Sequence, residues 1–90
     1  MEEIECLISG RVQLIMFRDF VKRQARALGL TGWVRNNPDG TVAVLAQGET
    51  PKLETLLSHL HSGSLLSRVD EVKVSRRAPK GRYADFRILF

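Results

Sequence analysis

Gly32-Trp33-Val34-Arg35-Asn36-Asn37-Pro38-Asp39-Gly40-Thr41-Val42-Ala43-Val44-Leu45-Ala46 reads as two strands and the turn between them. Trp33 to Asn36 is short and holds an aromatic and a β-branched residue, while Thr41 to Ala46 is rich in Val and Leu. Between them Pro38 presets φ and Asp39-Gly40 accepts positive φ, so Asn37 to Gly40 is the turn of a hairpin. Gly48 closes the second strand.

On the N-terminal side of the hairpin the period becomes helical. Phe17, Val21, Ala25 and Leu28 share one stripe, with Lys22, Arg23 and Arg26 on the opposite face and Gly29 at the end. This predicts a helix from Arg18 to Leu28, preceded by a strand over Ile4 to Ser9. On the C-terminal side, Thr50-Pro51 supplies an N-cap and a proline at the first helical position. Leu53, Leu56, Leu57 and Leu60 follow the helical rule up to Gly63. Val69 to Ser75 reads as a fourth strand with a break in register near Asp70-Glu71, Ala78 to Gly81 as a loop, and Asp85 to Phe90 as a final short strand. The order is β-α-β-β-α-β with an extra strand. It predicts an α+β, ferredoxin-like sandwich: a four- or five-stranded, mainly antiparallel sheet with both helices on one face. That fold alone assigns no function.

Ninety residues suffice for one core, so residues 1–90 are expected to form a single domain. Apolar residues make up 43% and charged residues 27%, a balance too apolar for a disordered tail. Fourteen Lys+Arg against 10 Asp+Glu give a net charge of +4, which favours anionic ligands without naming one. Cys6 is the single cysteine and excludes an internal disulfide framework or a thiolate metal cluster. The acidic start Met1-Glu2-Glu3-Ile4-Glu5 is unlike a secretory signal, and no apolar run approaches a membrane span. A cytoplasmic protein without a membrane partner is the expectation.

Chemistry points to two places. The segment Gly10 to Arg18 leads from the first strand into the first helix, where free backbone N–H groups and the helix dipole favour an anion. Arg18 sits at that positive end, where a cation is misplaced unless an anion lies beside it. The plain alternative is a surface arginine in a loose ion pair. Asn36 stands in a strand, where asparagine is unfavourable. It is either a turn-former, like Asn37 and Asp39, or an amide that holds a water or a substrate oxygen.

Taken with their setting, these residues resemble the acylphosphatase family. Its first motif (glycine, any residue, Val-Gln-Gly-Val, any residue, aromatic, Arg) reads here Gly10-Arg11-Val12-Gln13-Leu14-Ile15-Met16-Phe17-Arg18. Its second motif, glycine-aromatic-Val-x-Asn before a turn and Gly-x-Val, reads Gly32-Trp33-Val34-Arg35-Asn36 and Gly40-Thr41-Val42. The resemblance spans essentially the whole chain. It implies hydrolysis of acyl phosphates to a carboxylate and inorganic phosphate. Arg18 and the loop Gln13, Leu14, Ile15, Met16 and Phe17 would bind the phosphoryl group, and Asn36 would orient the attacking water. Such a scheme requires no metal, cofactor or covalent nucleophile; its partners are a small-molecule acyl phosphate and inorganic phosphate, and a monomer is expected.

Leu14 departs from the pattern, since the family has glycine there. A leucine forced into left-handed geometry costs about 1–2 kcal/mol and could tilt the loop amides away. The expectation is a slower enzyme with a reshaped loop, or alternatively an anion-binding module without turnover. Basic residues crowd the C-terminal end (Lys73, Arg76, Arg77, Lys80, Arg82 and Arg87), but the strands Ile4 to Ser9 and Thr41 to Gln47 lack stacking aromatics, so nucleic acid is not an expected partner. Cys6 reads as a small buried hydrophobe. His59 and His61 are two apart on a helix and cannot chelate one ion.

Overall fold

The computed structural model describes residues 1–90, with every side chain except that of Ile15. In chain order the elements are β1 (Glu2–Arg11), α1 (Ile15–Ala27), β2 (Thr31–Asn36), β3 (Val42–Gly48), α2 (Thr50–Ser62), β4 (Arg68–Arg77) and β5 (Phe86–Leu89). They form one five-stranded sheet of order β4-β1-β3-β2-β5. β1 pairs antiparallel with β3 and β4, β2 antiparallel with β3, and β5 lies parallel to β2. The two strand-helix-strand units therefore interleave, as the order of elements predicts.

Alternation along the strands separates two faces. Ile4, Cys6 and Ile8 of β1, Val34 of β2, Val42, Val44 and Ala46 of β3 and Phe86 of β5 point to the helical side and are buried. Phe17, Val21 and Ala25 of α1 and Leu53, Leu56, Leu57 and Leu60 of α2 close the core from above. Each of the fully buried Val, Leu, Ile and Phe side chains stabilises the fold by about 1.5–3 kcal/mol relative to exposure. Burial also sets the chemistry of Cys6, whose thiol is pushed up to about 12, so it stays protonated and unreactive at neutral pH.

Several boundaries differ from the sequence reading. The first helix begins at Ile15 rather than Arg18, because Phe17 belongs to the same buried stripe as Val21 and Ala25. Thr50 does not cap the second helix: the cap position is Glu49, Thr50 and Pro51 lie within the first turn, and the Thr50 hydroxyl meets Glu2 Oε1 at 3.2 Å. The first strand extends to Glu2 and Arg11, held on both sides by β3 and β4. The break near Asp70-Glu71 is present as a register shift: Ser9 faces Glu71, whereas Gly10 faces Val69. No described helix is long and apolar enough to cross a membrane.

Gly32 marks the tightest approach in the sheet. Its φ is +141°, and a Cβ there would lie 1.8 Å from the Leu45 carbonyl oxygen of the neighbouring strand. Gly40, in the hairpin turn, has φ +94° but open space around it. Gly32→Ala is expected to cost about 2–4 kcal/mol in urea unfolding, through clash as well as strain. Gly40→Ala, with strain alone, is expected to cost about 1–2 kcal/mol; equal losses would show that the Leu45 contact contributes nothing.

Candidate functional site

The sheet register brings the two singled-out residues to one end of the molecule. Ile8 of β1 and Asn36 of β2 both face Val42 of β3, so they lie in one row across the sheet. Beyond Ile8 the chain runs through Gly10 and Val12 into α1, so the start of α1 stands above that row. Asn36 has the same strand parity as buried Val34 and therefore points to the helical side.

The start of α1 is built to attract an anion. Leu14 occupies the cap position without a side-chain cap, and the first turn holds no acidic residue. The Phe17 amide bonds back to the Leu14 carbonyl at 2.9 Å. The amides of Ile15 and Met16 have no carbonyl one turn behind them to accept their protons. Arg18 adds a full positive charge in this same turn. Its neighbour Asp19 does not neutralise it but reaches Arg23 at 2.9 Å and Lys22 at 3.9 Å. Asp19 is thus directed along the helix and away from its N-terminus.

Among the described residues, three buried side-chain atoms lack a hydrogen-bond partner: Arg18 Nε, Asn36 Oδ1 and Ser64 Oγ. Two of the three belong to the residues that the sequence separates from the rest on chemical grounds. A buried polar group without a partner is costly, about 1–3 kcal/mol. A charged N–H donor and an amide acceptor held in this condition near one helix N-terminus can together bind an oxyanion and a water.

The family model described as Acylphosphatase matches residues 4–88. The chain belongs to the acylphosphatase family. An acylphosphatase from Koribacter versatilis is 50% identical to it over 82 residues, covering 91% of this chain and 74% of that protein. The crystal structure of acylphosphatase from Bacillus subtilis superposes with a TM-score of 0.96 at 32% identity, covering 100% of both chains. The structure of an acylphosphatase from Coxiella burnetii does so with a TM-score of 0.91 at 35% identity, over 98% of this chain and 93% of that one.

Against the family's glycine, Leu14 is accommodated without the strain expected from the sequence. Its φ of −108° and ψ of 142° are extended backbone, open to any residue. Its side chain is half-buried and packs against the core cluster. The Gln13 side chain braces the same loop: its Nε2 donates to the carbonyls of Asn37 and Thr41, at 2.5 and 2.9 Å, and so ties the loop to the hairpin turn. Phe17 is wholly buried, Met16 is exposed, and the side chain of Ile15 lies outside the described residues.

Two residues of the basic C-terminal patch, Arg76 and Arg77, are internally paired. Arg77 donates to Glu3 at 2.6 Å and to Glu5 at 2.9 Å, and Arg76 pairs with Glu54 and Glu2. A network on the outer face of the sheet goes unnoticed in the sequence. There Gln47 Nε2 donates to Glu3 Oε1 at 2.8 Å and to the Gly81 carbonyl at 2.7 Å, while Gln47 Oε1 accepts from the Tyr83 amide at 3.3 Å. The signal was available at Gln47, which breaks the otherwise apolar run from Val42 to Ala46. Trp33 lies on this outer side near Tyr83, with the Arg35 guanidinium over its ring. A groove of about 460 Å³ lined by Leu7, Arg35, Ala43 and Lys73 also opens there, on the sheet face opposite Asn36. His59 packs edge-on against Phe20, and no group of three metal-ligating side chains occurs among the described residues.

The turn that follows Asn36 is braced by Asp39, whose Oδ1 accepts from the Thr41 amide at 3.0 Å and the Thr41 hydroxyl at 2.6 Å. These bonds hold its carboxyl below the ordinary value of 3.8. A depressed carboxylate stabilises the fold above its unfolded value and loses that contribution as pH falls through the folded one. Asp39→Asn is therefore expected to reduce stability at neutral pH and to flatten the loss of stability below pH ~4. A parallel acid limb in both proteins would contradict this.

Proposed function

We propose that the chain hydrolyses acyl phosphates to a carboxylate and inorganic phosphate. Arg18 and the amides at the start of α1 bind the phosphoryl group, and Asn36 orients the attacking water. The observation that carries this reading is the pair of buried atoms without protein partners, Arg18 Nε and Asn36 Oδ1, at one end of the sheet. Membership of the acylphosphatase family supports the choice of reaction.

The chemistry asks little beyond placement and charge. The phosphoryl oxygens meet the positive end of α1, and the guanidinium fork can take two of them in its plane. Asn36 Oδ1 accepts a hydrogen bond from water and turns a lone pair of that water toward phosphorus. Water oxygen bonds to phosphorus as the phosphorus–oxygen bond to the acyl group breaks. The carboxylate leaves with that electron pair, and the proton lost by water ends on the phosphate product. A carboxylate is a good leaving group, so the transition state is loose and gains most from in-line positioning and from charge opposite the equatorial oxygens.

Residues 1–90 act in this reading as a single acylphosphatase-like domain. The proposed chemistry needs no side chain beyond these, so a monomer suffices for it. A single buried thiol at Cys6 suits the reducing cytoplasm. Leu14, extended and packed on the core, gives no reason to expect lost turnover.

Hydrolysis of a simple aromatic acyl phosphate tests these roles. Arg18→Ala is expected to lower kcat/KM by about 10³-fold or more and to abolish inhibition by phosphate. Asn36→Ala is expected to lower kcat by about 10²–10³-fold while phosphate still binds. Leu14→Gly is expected to lose stability without gaining activity. Wild-type activity in Asn36→Ala would remove its water-orienting role, and a large gain in Leu14→Gly would restore the view of an obstructed loop.

A further inference from the structure

The guanidinium of Arg18 lies over an aromatic ring, with its Cζ 4.9 Å from the centroid of Phe90. We infer that Phe90 is a positioning residue: it holds the Arg18 fork in the phosphoryl-binding orientation through its ring face, leaving the N–H donors free.

The other well-held arginines of the chain are fixed by acceptors. Arg26 donates to the Phe86 carbonyl and to Asp85, and Arg77 donates to Glu3 and Glu5. Those contacts occupy in-plane donors and, with carboxylates, neutralise the charge. Arg18 has no hydrogen bond or ion pair of this kind among the described residues, and its Nε is buried without an acceptor. A ring attracts the cation through its face and accepts no conventional hydrogen bond in doing so. It can therefore restrict the swing of a long, flexible side chain without consuming the N–H groups that a phosphoryl oxygen needs.

The position of Phe90 follows from the sheet. In the parallel pair β2/β5, Val34 faces Ile88 and Arg35 faces Leu89, so the next step along both chains sets Phe90 beside Asn36. Phe90 shares strand parity with buried Phe86 and with Ile88, which packs on the core, and so it lies on the helical side. Yet Phe90 itself is fully exposed, at 102% of its reference area. It adds nothing to the core, and its described contact of consequence is with Arg18.

The inference rests on Arg18 binding the phosphoryl group, and the test separates the two. Inhibition by inorganic phosphate and the KM and kcat for acetyl phosphate, which brings no ring of its own to stack, are measured for wild type, Phe90→Ala, Phe90→Leu, Phe90→Trp and Arg18→Ala. Thermal unfolding is followed in parallel. Phe90→Ala and Phe90→Leu are expected to weaken phosphate binding and raise KM by about two- to five-fold at unchanged melting temperature, with Phe90→Trp close to wild type. If Phe90→Leu matches wild type, or Phe90→Trp is as weak as Phe90→Leu, the ring face is not what holds Arg18 and the inference is overturned. If Arg18→Ala itself retains phosphate binding, the reading of the site fails first, and the assignment of Phe90 with it.

Discussion

The antiparallel pairing of β1 with β3 is the constraint on which the rest of the molecule depends. It sets Ile8 opposite Val42, and because β2 pairs with β3 from the other side, Asn36 falls into the same row. A slip of one residue would turn Ile4, Cys6 and Ile8 out of the core and bring Glu3, Glu5 and Leu7 in. The burial of those apolar side chains therefore fixes more than stability. It fixes which strand residue stands at the end of the sheet nearest the start of α1, the end where the anion site is proposed.

Both faces of the sheet hold polar side chains, yet the two are managed in opposite ways. On the outer face, Glu3 and Gln47 are buried beneath the loop that leads to β5, and their polar atoms find partners in Arg77, Gly81 and Tyr83. On the helical face, Arg18 Nε and Asn36 Oδ1 are buried and left without protein partners. Satisfied networks rigidify, while unsatisfied groups are retained at a cost in stability. The contrast is an argument for where the molecule binds something and where it only holds itself together.

Much of this was legible in the sequence because periodicity and turn chemistry agree along the chain. The Leu53-Leu56-Leu57-Leu60 stripe, the Asn37-Pro38-Asp39-Gly40 turn and the break at Asp70-Glu71 all fall where local rules place them. Arg18 and Asn36 stood out because each is unfavourable in its local setting, a cation at a helix start and an amide in a strand. What escaped was decided by tertiary contact. Leu14 could be read as strained only while its backbone was unknown; it takes the extended conformation usual for an N-cap residue. Gln13 belongs to the loop motif but spends its donors on the hairpin turn, a bond between segments far apart in sequence. The ring of Phe90 over Arg18 depends on the parallel register of β5, which no local pattern encodes.

The central claim is that an oxyanion docks where the start of α1, Arg18 and Asn36 converge. Titration of inorganic phosphate into isotopically labelled protein, followed by NMR of backbone amides and of side-chain N–H groups, tests it most directly. The account predicts saturable shifts concentrated on the amides of residues 14–18, the Arg18 Nε–H and the Asn36 side-chain amide. Shifts centred instead on Arg35 and Lys73 of the outer groove, or no saturable shift at all, would contradict it.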